Sequence, residues 1–472
     1  MPNSALPADE SRFDTLILGG GSAGYAAART LAAGGQRVGV LEGGADVGGL
    51  CILRGCMPTK ALLYAAEVAH LARHAATWGI VVPPPTVDFP TVMARKRAMV
   101  REFADYRRGQ LTDGRFTFLR AKARFHSPHS VVLDDGRRLT ARHFVIATGS
   151  VVAEPPIPGL AHAGCLTSDD ALELEAAPKS LIILGGGAIA CEFSQFFARI
   201  GTRVIQIQRG LHVLRAFDEA IATAVEEGLR KDGVELHTGV QLREAGRNES
   251  GCWIRFEAQG GIHQVEAEQI LLALGRAPNT RDLNLDAAGV QVDNAGRILT
   301  NDEMRTSAVH IMAAGDCASR HEVVHSAIQQ AEIAAHNLLH PTSPRRFDPR
   351  LEMSVVFTDP QAAMVGLTEN QCRKNGIPHI AASYPFADHG KSILMEAKLG
   401  AVKLVADPRS GRILGGAVAG PSGGELIHEI VVAMAAQFTV RQLAAVPHYH
   451  PTLAEIWTYP AEELADQLPS DG

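Results

Sequence analysis

FDTLILGGGSAGYAAARTLAAGGQRVGVLE, residues 13–42, decides how this chain folds. Phe13–Leu18 is an apolar run that reads as a buried strand. Gly19-Gly20-Gly21-Ser22-Ala23-Gly24 follows and opens an alanine-rich helix to about Ala33. Arg37–Leu41 reads as the next strand and ends at Glu42. The pattern is G-x-G-x-x-G between a strand and a helix, with an acid 18 residues beyond its third glycine. Such glycines let backbone close on a pyrophosphate, the helix N-terminus favours its charge, and the acid reaches a ribose. Gly19, Gly21, Gly24 and Glu42 are therefore candidate dinucleotide ligands.

The unit recurs 166 residues later. Leu181–Leu184 is the strand, Gly185-Gly186-Gly187-Ala188-Ile189-Ala190 the loop, and Val204–Ile207 the second strand. Gly185, Gly187 and Ala190 match Gly19, Gly21 and Gly24, and alanine is an accepted third residue. Glu42 is matched by Gln208, followed by Arg209 and then Arg215. A neutral residue followed by arginine suits a 2′-phosphate, so NADPH is favoured over NADH, although Gln208 can also bond a free ribose. Ile270–Leu274 closes this unit before Gly275. The strand Phe144–Ala147 runs into Thr148-Gly149, and Val309–Ala313 into Ala314-Gly315-Asp316, whose carboxylate can hold a polyol hydroxyl.

Between the two units lies GGLCILRGCMPTK, Gly48 to Lys60. Cys51 and Cys56 are five residues apart, about 7.5 Å along a regular helix. A disulfide needs Cα atoms within about 4.4–6.8 Å. A Cys51–Cys56 bond would require a distorted first turn, which Gly48, Gly49 and Gly55 permit. Such a bond is a candidate for reversible redox chemistry, and Arg54, Lys60 and a helix N-terminus would favour a thiolate. Two inert cysteines in a glycine-rich loop is the competing reading. Two nucleotide sites beside a cysteine pair suggest nicotinamide, flavin and disulfide acting in series.

The remaining composition narrows the classes. A chain of 472 residues predicts three or four domains. Forty-six glycines and 5% aromatics suit an α/β protein with tight βα turns. Net charge is −6 with no basic tract, which argues against nucleic acid. Residues 1–11 read as a disordered leader without a signal-peptide core, and no apolar run is long enough to span a membrane. Seven cysteines without CxxC are not a secreted framework, so a cytoplasmic location is expected, with Cys165, Cys191, Cys252, Cys317 and Cys372 structural. Long helical patterns cover about Ala61–Trp78 and Pro90–Gly109, and another about Ser326–Leu339. From about Phe347 β-type runs take over, and two helical stretches finish the chain, the last carrying His448, His450, Pro451, Thr452 and Glu455.

His450 with Glu455 five residues on can form an oriented acid–base pair. On spacing alone a solvated or structural histidine is the stronger reading. His321-Glu322-Val323-Val324-His325 matches HExxH, but it follows a Gly-Asp turn without a third ligand, so no metal site is expected.

Together these motifs resemble the flavin-dependent pyridine nucleotide–disulfide oxidoreductases, which include dihydrolipoyl dehydrogenase, glutathione reductase and mercuric reductase. The likeness runs from about Arg12 to Glu463. GGLCILRGCMPTK is similar to the redox motif, ALGRAPN to the GRxPN element, and AAGDCAS to the second flavin motif. VVFTDPQAAMVGLTE is similar to the start of the dimerisation domain, and HYHPTLAEIW to HPTxxE. The resemblance implies an α/β protein with two Rossmann-like dinucleotide-binding domains and a C-terminal α+β dimerisation domain. Boundaries are 12–150 (FAD, first part), 151–275 (NAD(P)), 276–346 (FAD, second part) and 347–472 (interface).

The resemblance also implies roles. Cys56 would face the flavin and Cys51 would meet substrate. Lys60 would lie near the flavin and pair with Glu192. Gly19, Gly21, Gly24, Glu42, Gly49, Thr148, Gly149, Gly315 and Asp316 would hold FAD. Gly185, Gly187, Ala190, Gln208, Arg209, Arg215 and Gly275 would hold NAD(P). His450 and Glu455 would act across a homodimer interface on the partner's cysteines. Departures are Leu50 for the usual threonine, Arg54 for a small apolar residue, and Ala188 for a bulkier one. Met57-Pro58-Thr59-Lys60 looks closer to the lipoamide branch. His450, and a tail without a cysteine pair, argue against the mercuric branch. The expected activity is dihydrolipoyl dehydrogenase-like, on a lipoyl-bearing protein or small dithiol. Alternatives are an NADPH-dependent reductase of glutathione-type disulfides, a flavoprotein assembly component of a multienzyme complex, and a quinone or metal-ion reductase bypassing the disulfide.

Overall fold

The computed structural model describes residues 11–153, 155–249, 251–258 and 260–469. The leader expected over 1–11 lies, but for Ser11, outside the described residues. The chain forms two compact units: Met1–Thr59 with Ala94–Ala153 and Arg276–Asp348, and Lys60–Met93 with Glu154–Gly275 and Pro349–Gly472.

The first unit is built on a sheet in which Thr117–Arg120, Val38–Glu42, Arg12–Leu18 and Arg138–Ile146 lie side by side, all parallel. Ile311–Ala313 adds in parallel beside Phe144–Ile146. Ala123–Ser127 and Ser130–Leu133 extend the sheet antiparallel from the other half of Arg138–Ile146. The strand Arg12–Leu18 is buried from Thr15 onward because both faces are covered. One face carries the helices Ser22–Ala33 and Val324–Leu339, whose small residues Ala27, Ala28, Ala331, Ala334 and Ala335 are all buried in one core with Val40 and Val145. Small side chains permit that close approach; a Cβ at Gly34 would meet Leu339 at 2.5 Å.

The second unit holds another parallel sheet, in the order Glu235–His237, Arg203–Ile207, Ser180–Leu184, Gln269–Leu272, Leu166–Thr167. Helix Ala188–Arg199 packs Phe193, Phe196 and Phe197 into its core, with Phe196 edge-on to Phe197 at 5.0 Å. Burial of each ring is worth about 1.5–3 kcal/mol. Leu62, Ala66, Phe89 and Met93 join this core, which explains why segment 60–93 groups here and not with the flanking chain of the first unit. A three-stranded antiparallel meander, Gln241–Asn248, Gly251–Ala258 and Gly261–Ala267, rises from the same unit and had no counterpart in the sequence reading. The C-terminal part is a five-stranded antiparallel sheet, Met353–Val356, Gln361–Gly366, Ile413–Gly420, Ala401–Ala406, Ile380–Pro385, backed by helices Gly423–Ala435 and Thr458–Asp466.

Three elements differ from expectation. The helix expected over 61–78 starts at Cys56 and ends at His74, with a 3-10 turn to Trp78. The helix expected over 90–109 spans Phe89–Leu111. His448 to Thr452 do not lie on the last helix. They form a loop before the 3-10 turn Ala454–Trp457, since Pro451 has no N–H to donate and disfavours helix at the residue before it.

Candidate active site

In the first unit, Gly19 stands at φ +109°, and a Cβ there would sit 2.2 Å from the Ala147 carbonyl oxygen. A Cβ at Gly24 would lie 1.8 Å from the Gly19 oxygen, so the turn closes only on glycine. Gly21 precedes helix Ser22–Ala33 without a side-chain cap, which leaves its first N–H groups directed outward. Glu42, at the end of the second strand, accepts from Gly20 N at 3.0 Å and Gly44 N at 2.7 Å. This arrangement fits a dinucleotide pyrophosphate and ribose. Asp316 accepts from Ser150 Oγ at 2.7 Å, and Arg276 donates through Nε to Ser150 Oγ and through Nη2 to Ser150 O, both at 2.8 Å. Thr148 and Gly149 precede Ser150 on this loop; Asn279 Nδ2 donates to Thr148 O and its backbone N to Gly149 O. The sequence reading assigned no role to Arg276 or Ser150, although Arg276 sits inside ALGRAPN and Ser150 directly follows Thr148-Gly149.

The cysteine segment docks on this cradle through glycine. Gly48 and Gly49 have φ of +150° and +73°, and a Cβ at Gly49 would lie 2.6 Å from Gly21 Cα. Cys51 lies on the short helix Gly49–Leu53, which breaks at Arg54, and Cys56 starts the long helix Cys56–His74. The break replaces the single distorted turn that spacing suggested. Gly55 makes it possible: a Cβ there would stand 3.2 Å from Cys51 Cα. Both cysteines are half-buried. By contrast, burial pushes Cys191 up to about 12, and Cys165 and Cys317 to about 11, which keeps those thiols protonated. Sequence reasoning missed Arg107. Its guanidinium lies 4.3 Å over the Tyr25 ring. Burial lowers its pKa, while the charges of Tyr25 and Cys51 act to raise it.

In the second unit the matched loop repeats the geometry. Gly185 has φ +130°, with its would-be Cβ 2.2 Å from the Ala273 oxygen. Gly187 precedes the uncapped helix Ala188–Arg199, and Ala190 is fully buried on it. Gln208 stands where Glu42 does, its side chain against Gly186 and its Nε2 donating to His212 O at 3.4 Å. Arg209 and Arg215 are exposed. Gly275 has φ +119° with open space at its Cβ position. Lys60 Nζ donates to Glu192 at 2.8 and 3.0 Å and lies 4.6 Å over the Phe357 ring. Glu192 is buried and also accepts from Phe357 N at 3.0 Å.

Near the C-terminus, His450 Nδ1 bonds both oxygens of Glu455 at 3.0 and 3.1 Å. Glu455 is buried, whereas the His450 side chain is 77% exposed. His448 Nε2 meets Glu429 Oε1 at 2.6 Å. A cavity of about 370 Å³ is lined by His448, His450, Glu455, Tyr459 and Glu462. The HExxH stretch is divided, His321 lying ahead of the helix that begins at Val324, so its histidines are not one turn apart on a helix face. Among the described residues no helix is long and apolar enough to cross a membrane.

Residues 13–331 match the pyridine nucleotide-disulphide oxidoreductase family, and residues 353–461 match that family's dimerisation domain. A dihydrolipoyl dehydrogenase of Geobacillus stearothermophilus is 33% identical over 453 residues, covering 95% of each chain. A mercuric reductase of Streptomyces lividans is 34% identical over 470 residues, covering 97% of each. The HOCl-induced flavoprotein disulfide reductase RclA from Escherichia coli superposes with a TM-score of 0.84 at 27% identity, covering 95% of this chain and 99% of that one.

Proposed function

Since the chain belongs to the pyridine nucleotide-disulphide oxidoreductases, FAD-dependent enzymes that exchange electrons between NAD(P)H and sulfur groups, we propose that it is a dihydrolipoyl dehydrogenase-like homodimer working through Cys51 and Cys56. The observation that supports this reading is the close approach of Gly49, two residues before Cys51, to Gly21 of the first glycine loop, which suits a cysteine pair working beside a flavin nucleotide. Bound FAD supplies the two-electron relay between nicotinamide and cysteines. Gly19, Gly21, Gly24 and Gly49 would give it backbone, Glu42 a ribose contact, and Asp316 a polyol contact. Lys60, held by Glu192, presents a cation one helical turn beyond Cys56.

The reduced pair then acts on a disulfide. Cys51 thiolate attacks one substrate sulfur, and the departing thiolate takes a proton from His450 of the partner subunit. Cys56 thiolate next attacks the Cys51 sulfur, which re-forms the internal disulfide and releases the second thiol. Glu455 fixes the imidazole with Nε2 outward, a role suited to a histidine so exposed on a dimerisation domain. Tyr64, Val68 and Leu71 give helix Cys56–His74 an exposed apolar stripe that a second copy would cover.

NADPH is the favoured nucleotide. Gln208 offers no carboxylate to repel a 2′-phosphate, and exposed Arg209 and Arg215 lie on the loop after it. Arg209→Gln is expected to lower kcat/KM for NADPH about tenfold, consistent with one charge-assisted hydrogen bond, and to spare NADH. The substrate assignment is tested by lipoamide turnover with NADH and NADPH in parallel, and Cys51→Ser as control. Cys51-dependent turnover supports it. Flavin reduction without lipoamide turnover overturns the lipoyl assignment in favour of glutathione-type disulfides, and full activity of Cys51→Ser overturns the cysteine pathway.

A further inference from the structure

Beneath Glu455 lies a second histidine, His389, that no motif marks. It is fully buried at the start of helix Gly390–Leu394. Its Nδ1 lies 2.8 Å from Ser392 Oγ, and its Nε2 lies 3.4 Å from Glu455 Oε1, the same carboxylate that holds His450. That nitrogen has no hydrogen-bond partner as it stands. A buried ring N–H without an acceptor is costly; the Glu455 carboxylate is within reach, and the Thr452 backbone is a second, uncharged acceptor nearby. Catalytic hydrogen bonds are often long before substrate binds and tighten afterwards. The adjoining Gly390 places its would-be Cβ 3.9 Å from His450 Cε1, so the same turn forms the floor under the exposed imidazole.

We propose that His389 is a positioning residue that donates through Nε2 to Glu455 and so holds the carboxylate square to His450. This rests on the reading of His450 as the acid–base group. The surroundings suit a neutral donor. Burial holds His389 below the usual histidine range, Glu455 pulls the other way, and His450 adds repulsion. Tyr459 packs edge-on at 6.4 Å and is itself stacked by Tyr384 at 4.0 Å. Phe386 packs at 6.3 Å, and Asp388 precedes His389 with its backbone oxygen facing the Tyr384 hydroxyl. With Ser392 donating to Nδ1, the proton sits on Nε2, facing Glu455. A neutral donor orients the carboxylate without neutralising it, leaving its charge for the imidazolium of His450. The platform is rigid: fully buried Trp457 donates through Nε1 to Leu426 O at 3.1 Å and pins the turn that carries Glu455.

The test compares three variants of the full-length FAD-loaded enzyme. His389→Phe keeps the ring volume without the donor. His389→Gln returns an N–H near the Nε2 position. His389→Asn keeps a polar group near Ser392 but falls short of Glu455. Disulfide turnover is followed across pH, and NAD(P)H-to-ferricyanide turnover reports the steps that do not use the dyad. The expected result is about a tenfold fall in disulfide kcat for Phe and Asn, a moved acidic limb in the pH profile, unchanged ferricyanide turnover, and Gln within about threefold of the parent. If Phe does not fold, Asn against Gln decides. Equal activities in all variants, equal losses in Asn and Gln, or an unmoved limb overturn the proposal. His450→Gln is run beside them: if it keeps disulfide turnover, the acid–base reading of His450 has failed, whatever the His389 series shows.

Discussion

Lys60 and Glu192 illustrate how one pair can govern a local helix. Glu192 is 3% exposed and Lys60 32%, so removing the lysine strands a buried carboxylate. Lys60→Met is expected to cost about 1–3 kcal/mol, reduced from a fully buried pair because the lysine is partly solvated, and to lower Tm by several degrees. Lys60→Met with Glu192→Gln recovers part of that loss in the same thermal scan; a loss that only adds would remove the pairing argument. Arg107 sets a second expectation. Its attraction to Cys51 predicts that Arg107→Gln slows alkylation of Cys51 at neutral pH in the reduced enzyme, while Arg107→Lys retains most of the rate. An unchanged alkylation rate in Arg107→Gln would dismiss that attraction. Neither Arg107 nor His389 was legible in the sequence. Each is a lone residue whose meaning comes from what folds against it, whereas Cys51 and Cys56 announce themselves by spacing and flanking glycines.

At the scale of elements, the two nucleotide loops make a controlled comparison. Gly24 has its would-be Cβ inside the Gly19 carbonyl, yet the matching position in the second loop holds Ala190 comfortably. Gly24→Ala is therefore expected to yield protein that loses its flavin, visible as lost yellow absorbance. Ala190→Gly should cost only about 1 kcal/mol of helix propensity. Flavin retention by Gly24→Ala would show that the turn has slack it does not display. The strands around both loops were readable to within a residue or two, because strand, glycine loop and helix each leave a period in the sequence. The meander at Gln241–Ala267 was not readable. Its strands expose many charged residues, such as Arg243, Glu244, Arg255 and Glu257, which pair across the strands and blur the alternation. The 448–452 loop was misjudged as helix because the stretch directly after it, Ala454–Trp457 and Thr458–Asp466, is helical and Pro451 is the one strong breaker within the loop.

Across the whole molecule, buried titrating groups link folding to pH. His389 and His143 are held below the usual histidine value by burial. The unfolded chain therefore binds more protons as pH falls below about 6.5, and stability is lost in that direction. Asp232 extends the loss to lower pH. Burial acts to raise its pKa, but His70 and Arg199 outweigh it and the net direction is downward. Chemical denaturation is expected to show stability rising from pH 5 to 7, with a flatter slope for His389→Gln; an unchanged slope would assign the effect to other groups. The exposed imidazole of His450 has a further consequence. On the proposed reading of His450 as the acid–base group for a partner's cysteines, so exposed a side chain makes activity a matter of mass action. Specific disulfide turnover should fall as enzyme is diluted below the dimer dissociation constant, while ferricyanide turnover stays level. Subunits crippled in different places should also repair one another. Mixing inactive Cys51→Ser with inactive His450→Gln should restore about one quarter of parental turnover once chains exchange, since half the dimers are hybrids and each hybrid carries one intact centre.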